Sequence, residues 1–208
     1  NKISKTLNRF LISARAMDIC ITMLRGINMT GHNTIKMTRL ADMFRQLGYA
    51  DAETYIQSGN IVFTAHDGYI DDISSGIRRA ILSEFNLNIA VITRTLDEMK
   101  EIVSVNPFLG EPNFDPSKMA VLFLEYKPSE EQILKVAGID YPPDKFQING
   151  SEIYIYCPNG FGKTKLYTNF FEAKMKVTGT ARNWRTVNKL MEMAVKKNKV
   201  PDKTQRQE

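Results

Sequence analysis

The sequence has few of the residues on which disulfide scaffolds and metal sites depend. Its 208 residues include two cysteines, two histidines and one tryptophan. Cys20 and Cys157 cannot form a disulfide scaffold or a zinc site, and each lies in an apolar, strand-like run. We therefore expect both to be buried thiols in a reducing compartment. No apolar run approaches the roughly 18 residues that a membrane helix needs, so we expect a cytoplasmic protein without a membrane-spanning segment.

Sequence patterns for catalysis and cofactor binding are also missing. His32 and His66 have no metal-ligand spacing, and nothing resembles a nucleophile elbow or a carboxylate dyad of identifiable spacing. Residues 160–164 look like a phosphate-binding Walker loop, but that loop needs glycine where Cys157 stands. We therefore predict no metal and no cofactor. The sequence leaves open whether the protein is an enzyme, because acid–base partners can meet only in the fold.

The net charge of +5 is concentrated at the two ends of the chain. Residues 1–16 carry four basic residues and no acidic one, and residues 196–208 carry five basic and two acidic residues. Subtracting +4 and +3 from +5 leaves −2 for the rest of the chain. A basic balance carried by the termini is weak evidence for nucleic-acid binding, so we do not expect nucleic acid as a partner.

The domain organisation follows from the hydrophobic pattern. Residues 1–16 are basic and acid-free, like a transit peptide, but Met17 directly precedes a clear strand. We expect Met17 to be the effective start and 1–16 to be an N-terminal extension outside the fold. We predict a first half at 17–95, a connecting helix and loop at 96–117, a second half at 118–195 and a polar tail at 196–208.

The first half alternates between strand and helix periodicity. The predicted elements are, in order, a strand at 18–24, a helix at 37–47, strands at 54–57 and 61–64 joined by a turn at 58–60, a helix at 70–85 and a strand at 89–93. Thr95 and Glu98 form a capping-box pattern, which predicts that the connecting helix begins immediately afterwards.

The second half repeats most of this order. The predicted elements are a strand at 119–125, a helix from a capping box at 129–132 to Gly138, hairpin strands at 145–148 and 152–157, and a helix through 166–173. Residues 180–182 then precede Asn183, the predicted cap of a last helix. The order β-α-β-β-α thus occurs twice. It predicts an α+β fold with two antiparallel sheets, each with helices on one face, packed through their helix-free faces or edges.

Four segments stand out together, namely Leu24-Arg-Gly-Ile-Asn28, Thr54-Tyr-Ile-Gln-Ser-Gly-Asn60, Pro158-Asn-Gly-Phe-Gly-Lys-Thr-Lys-Leu166 and Thr180-Ala-Arg-Asn-Trp-Arg-Thr-Val187. In this order, from about Met17 to about Ala194, they resemble the widespread bacterial family called domain of unknown function 1697. The resemblance implies two ferredoxin-like (α-β plait) halves. It implies no activity, because the family has none assigned.

Ten polar side chains in or near these segments are candidate ligand contacts. A glycine-containing loop that opens a helix can direct N–H groups at an anion, and arginine can hold a carboxylate or phosphate with two N–H groups. Cations at a helix start, which the macrodipole disfavours, can serve to meet an anion. We predict a small anionic ligand, such as a nucleotide or phosphorylated metabolite, between the halves, contacted by Arg25, Asn28, Lys36, Gln57, Ser58, Asn60, Lys163, Lys165, Arg182 and Asn183.

Structural interpretations of the same residues stay open. Arg25 and Asn28 could bond backbone carbonyls, residues 58–60 suit a tight turn, Lys163 and Lys165 could be solvated, and Asn183 suits a helix cap.

Two alternative functions also stay open. Tyr154 and Tyr156 share one sheet face, where some α-β plaits stack RNA bases on aromatic rings, although burial between the halves is the competing interpretation. The alternatives are therefore a single-stranded RNA-binding module, or a protein-interaction or structural role without catalysis. The oligomeric state is not predicted.

Overall fold

The computed structural model describes residues 18–29, 31–65 and 69–199. The predicted extension at 1–16 and most of the predicted tail at 196–208 lie outside the described residues. Within the described ranges, no helix combines the length and the apolar character needed to cross a membrane.

The first half forms a four-stranded antiparallel sheet. Its elements are β1 (Asp18–Leu24), α1 (Met37–Gln46), β2 (Glu53–Tyr55), β3 (Asn60–Ala65), α2 (Ile70–Phe85) and β4 (Val91–Thr95). The strands lie in the order β2-β3-β1-β4, so β1 is hydrogen-bonded on both sides. The connecting helix α3 (Leu96–Ser104) follows β4 without a loop.

The second half repeats this arrangement and ends in a longer helix. Its elements are β5 (Met119–Leu124), α4 (Glu130–Leu134), β6 (Lys145–Asn149), β7 (Glu152–Tyr156), α5 (Thr168–Met175), β8 (Gly179–Asn183) and α6 (Trp184–Asn198). The strand order is β6-β7-β5-β8, with β5 in the central position of β1. The predicted α+β class with two antiparallel sheets is confirmed.

Both predicted capping boxes are confirmed. Thr95 Oγ1 accepts a hydrogen bond from Glu98 N at 3.1 Å, and Glu98 Oε2 accepts one from Thr95 N at 2.7 Å. The same reciprocal pair joins Ser129 and Gln132 at the start of α4. These local signals therefore fix where two helices begin.

Two predictions about the second half were wrong. The helix predicted through 166–173 begins at Thr168, and residues 161–163 form a separate 3₁₀ turn. Lys163 and Lys165 therefore do not lie at an α-helix start, and the macrodipole argument does not apply to them. Residues 180–182 were expected only to lead into the helix cap at Asn183. In the structure, residues 179–183 form strand β8.

Each sheet buries its outer face beneath the helices of its own half. In the first half, Cys20 of β1 packs with Phe44 of α1 and Ile77 of α2. In the second, Cys157 packs with Phe171 of α5. Both cysteines are free and buried, as expected.

The inner faces of the two sheets share a third core, with α3 and α6 between them. Ile21 of β1 and Val121 of β5 belong to the same cluster as Met99 of α3 and Leu190 of α6. Trp184, the only tryptophan, is buried in this cluster as well. The halves thus join through the faces expected from sequence, but the helix that follows the last strand of each half fills the space between them.

Tyr154 and Tyr156 point into this central core. Their residues are only 1% and 5% exposed. Tyr154 Oη donates a hydrogen bond to Ile102 O at 2.9 Å, and burial raises the pKa of Tyr154. The Tyr156 ring stacks on Phe108 and Phe114, with centroid distances of 5.8 and 5.5 Å. Both rings are therefore inaccessible for stacking on RNA bases, and the competing expectation of burial between the halves is confirmed.

Candidate functional site

Arg182 of β8 joins three of the four sequence segments. It is 7% exposed. Its Nε donates to Asn60 Oδ1, and its Nη2 donates to the backbone oxygens of Leu24 and Ser58 at 2.9 Å each. Its Nη1 donates to two acceptors within β8. All five guanidinium N–H groups are thus used. We call Arg182, Leu24, Ser58 and Asn60 the Arg182 seam.

The environment of Arg182 is polar but uncharged. Burial lowers the pKa of Arg182 to about 10, so the side chain stays charged at neutral pH. Its acceptors across the seam are two backbone carbonyls and one amide, which carry no countercharge. An anion could contact Arg182 only after one of these hydrogen bonds had broken.

The loop after β1 and the turn between β2 and β3 are joined by Asn28. Its Nδ2 donates to Gln57 O at 2.8 Å and to Ile35 O at 3.0 Å, while its Oδ1 accepts from Ile35 N. Asn60 Nδ2 donates to Ser58 Oγ at 2.9 Å. The amide groups of Asn28 and Asn60 therefore hold the loop and the turn in place. Among Asn28, Ile35, Gln57, Ser58 and Asn60, only Gln57 is exposed.

Arg25 reaches into the second half. Its Nε donates to Glu172 Oε1 at 2.9 Å and to Gly179 O at 3.0 Å, and its Nη2 donates to Glu172 Oε2. Glu172 Oε1 also accepts from Gly179 N at 3.1 Å. A carboxylate of the protein thus occupies the two-pronged contact that an anionic ligand would make with Arg25.

Gly179 permits a close approach between β8 and β5. A Cβ at this position would lie 2.7 Å from Phe123 O and 2.7 Å from Leu122 Cδ1, closer than real Cβ contacts. We expect Gly179→Ala to lower the free energy of unfolding by roughly 1–3 kcal/mol, because β5 and β8 must separate. Urea denaturation will measure the loss. Gly162→Ala is the matched control, since no heavy atom lies within 4 Å of its Cβ; equal losses in both variants would contradict the close-approach argument.

The remaining predicted contacts divide between the Arg182 seam and a separate surface. Lys36 is exposed next to Ile35 and makes no capping hydrogen bond. Asn183 follows Arg182 and caps α6, where its Oδ1 accepts from Thr186 N at 2.8 Å.

Lys163 and Lys165 lie on that separate surface. Both are exposed, and Lys165 Nζ is 5.2 Å from the centroid of the Tyr141 ring. Among residues 18–29, 31–65 and 69–199, no hydrogen bond or ion pair connects either lysine with the Arg182 seam. The structure therefore does not bring the five predicted cations together at one point.

Sequence reasoning missed a second arginine that makes matching contacts. Arg94 of β4 donates from Nε to Glu152 Oε1 at 2.8 Å and from Nη2 to Leu124 O at 2.8 Å. Arg94 and Arg182 each immediately precede a helix N-cap, and each reaches the last residue of the central strand in the opposite half. Glu152 is the first residue of β7, and Asn60 is the first residue of β3, so the two occupy equivalent positions in their sheets. We call Arg94, Leu124 and Glu152 the Arg94 seam.

The residues after the two central strands also correspond, with opposite charges. Arg25 follows β1 and pairs with Glu172 of the second half. Glu125 follows β5 and pairs with Arg78 of the first half. Equivalent positions in the two halves thus both form ion pairs across the interface. The position after β1 carries a positive charge and the position after β5 a negative one, so the two ion pairs are chemically unlike.

A cleft of about 410 Å³ opens between the halves beside the Arg94 seam. The Arg94 and Glu152 side chains, each 10% exposed, form an ion pair in its wall. Burial raises the pKa of Glu152, although the neighbouring Arg94 guanidinium opposes the shift. Carboxylates outnumber cations in the lining, which includes Asp71, Glu98, Glu101, Glu125 and Glu152 against Arg94 and Lys127.

The five carboxylates differ in their availability. Glu152 pairs with Arg94, Glu125 pairs with Arg78, and Glu98 caps α3. In the part of the chain that the structure describes, Asp71 and Glu101 take part in no ion pair. The same part of the chain contains no group of three or more His, Cys, Asp or Glu side chains arranged to hold a metal ion.

Comparison with known proteins identifies a family without an assigned activity. No curated protein matches the sequence. The conserved bacterial protein SP0830 from Streptococcus pneumoniae has a similar solved structure, with a TM-score of 0.68 and 21% identity over 86% of this chain and 99% of its own. This likeness shows the fold. The family model described as "Protein of unknown function (DUF1697)" matches residues 17–154, which is more than half of the sequence. The chain therefore belongs to the DUF1697 family.

Proposed function

We propose that this protein binds a small cationic ligand in the cleft between its two halves. The observation that carries the proposal is a cleft of about 410 Å³, lined by both halves, in which five carboxylates face two cations. Its volume is in the range of small-molecule sites. An excess of negative charge in a cleft between low-dielectric walls concentrates the electric field and attracts a ligand of the opposite charge.

The lining supports an organic amine or guanidinium compound as the ligand class. Asp71 and Glu101 supply carboxylate oxygens that can accept hydrogen bonds from its N–H groups. Ile70 and Val105 supply apolar surface for its carbon skeleton. Tyr126, which is 67% exposed, adds an aromatic face on which a cation can rest.

The anionic ligand expected from the sequence has less support in this cleft. None of its ten predicted contacts lines the cleft. Anion binding near Lys36 and the Arg182 seam therefore stays a prediction about a different surface, and the same experiment tests it.

A thermal-shift titration with two sets of probes tests the proposal. Putrescine, spermidine and arginine represent cationic ligands, and ATP and inorganic phosphate represent anionic ones. We expect a cationic probe at a hundred times its dissociation constant to add about 2.7 kcal/mol of stability. That gain corresponds to a rise of about 5–10 °C in Tm for a protein of this size. The anionic probes should leave Tm unchanged.

Substitutions in the cleft locate the binding. Asp71→Asn combined with Glu101→Gln should abolish the rise in Tm with cationic probes. The matched control is Glu192→Gln, which removes an exposed carboxylate of α6 that does not line the cleft. A cationic response that survives the double substitution, or a response to ATP alone that Lys36→Ala removes, would contradict the proposal.

A further inference from the structure

The second sheet has a free edge beside a second cavity. β6 is the outermost strand and, within the described residues, pairs only with β7. A cavity of about 560 Å³ lies alongside it, lined by Phe146 and Ile148 of β6 and by residues 136–141. The corresponding edge strand of the first sheet, β2, has only three residues in the described part of the chain. An edge strand with open backbone groups can pair with another strand.

The register of the hairpin determines which backbone groups are open. Gly150 and Ser151 form a two-residue loop between the paired residues Asn149 and Glu152. The pair that flanks such a loop exchanges both backbone hydrogen bonds, and pairs along the ladder alternate between bonded and open. The N–H and C=O groups of residues 145, 147 and 149 therefore face β7. Those of Phe146 and Ile148 face the free edge.

We propose that β6 pairs antiparallel with β6 of a second copy of this chain, about a two-fold axis at Gln147. In this register Phe146 lies opposite the partner's Ile148, and Ile148 lies opposite the partner's Phe146. Both residues have their open N–H and C=O groups on this edge, so the two pairs form four backbone hydrogen bonds. The second sheet of one copy and the second sheet of the other, with four strands each, then become one sheet of eight strands.

The side chains of β6 are also self-complementary in this register. Phe146 and Ile148 are half-buried and project from the same face of the sheet, so the pairing forms two apolar cross-strand contacts. Lys145 lies opposite the partner's Asn149, and Gln147 lies beside the partner's Gln147. No like charges therefore face each other. A two-fold interface requires this kind of self-matching surface.

The cavity gives the second copy apolar surface to cover. Val136, Ile139 and Tyr141 line it together with the two apolar residues of β6. Lys145, at the start of the strand, is held by Glu111 at 2.7 Å and so its charge is balanced within one chain. An unrelated extended peptide can also add to this edge. A second β6 is the favoured occupant because its apolar residues meet Phe146 and Ile148, and its single charge, that of Lys145, meets Asn149.

Sedimentation velocity of the full chain from about 1 µM to about 1 mM tests the proposal, because this range covers weak dimers. We expect a monomer at the lower end and a dimer at the upper end. Gln147→Lys places two lysines opposite each other at the axis and should weaken the dimer at least about tenfold. Gln147 is exposed, so the Tm of the monomer should not change. Gln46→Lys, an exposed position on α1, is the matched control.

A charge-swap experiment distinguishes this interface from any other. Mixing the Gln147→Lys and Gln147→Glu variants places opposite charges across the axis and should restore a heterodimer. A monomer at every concentration overturns the proposal. A strand from another protein would then be the occupant of the edge. A dimer that Gln147→Lys does not weaken, or a mixture that forms no heterodimer, overturns it as well.

Discussion

Replacing Arg182 with methionine is expected to lower the free energy of unfolding by about 3–5 kcal/mol. Methionine fills much of the same volume but donates no hydrogen bond. The backbone oxygens of Leu24 and Ser58 and the amide oxygen of Asn60 would then lose their Arg182 donor. An unsatisfied buried acceptor costs about 1–3 kcal/mol, and removing the desolvated charge offsets part of the total.

Two further variants separate hydrogen bonding from charge. Arg182→Lys keeps the charge, but one ammonium cannot reproduce the planar array of donors, so we expect a loss of about 2 kcal/mol. Arg185→Met removes an exposed arginine three positions along the chain and should change stability by less than about 0.5 kcal/mol. Urea denaturation followed by the fluorescence of the buried Trp184 reports all three. An unchanged midpoint in Arg182→Met would mean that desolvation of the charge cancels its hydrogen bonds.

The elements that sequence reasoning located are those specified by their own residues. Capping boxes at Thr95 and Ser129 and the hairpin at Gly150 depend on contacts within a few positions. β8 was missed because Gly179-Thr-Ala-Arg-Asn183 has no apolar alternation. Its strand conformation depends on pairing with β5, more than fifty residues earlier. Short-range patterns do not contain that pairing.

The candidate site illustrates the same limit. The sequence singled out Arg182 and Arg25 as polar residues of the junction between the halves, and both do cross it. A donor pattern does not distinguish a ligand from a backbone carbonyl as the acceptor, so their partners could not be predicted. Arg94 was overlooked because the predicted strand ended at residue 93, whereas in the structure Arg94 lies within β4. Asp71 and Glu101 are ordinary helix-surface residues that acquire a common role only because two halves meet beside them.

The Arg94–Glu152 ion pair should show strong energetic coupling. Removing one partner of a buried pair leaves an uncompensated charge and costs about 3–5 kcal/mol. We expect losses of this size for Arg94→Met and for Glu152→Gln at neutral pH, and a double variant less destabilised than the sum of the two by at least about 1.5 kcal/mol. The control cycle uses Lys189 and Glu192, an exposed pair on α6 whose coupling should stay below about 0.5 kcal/mol. Equal coupling in the two cycles would contradict a buried pair.

The stability of Arg94→Met should depend on pH through Glu152. Burial raises the pKa of Glu152 above its usual value of 4.5, and Arg94 is the main group that opposes the shift. Without Arg94 the folded protein binds a proton at Glu152 more tightly than the unfolded chain does. Stability contributed by that proton is present at low pH and is lost as the pH rises through the folded pKa. The deficit of Arg94→Met relative to the Arg94→Met/Glu152→Gln double variant should therefore shrink between pH 7 and pH 5. If the difference in stability between the two variants does not change over this pH range, Glu152 stays ionised without Arg94. Its carboxylate would then be solvated and not buried.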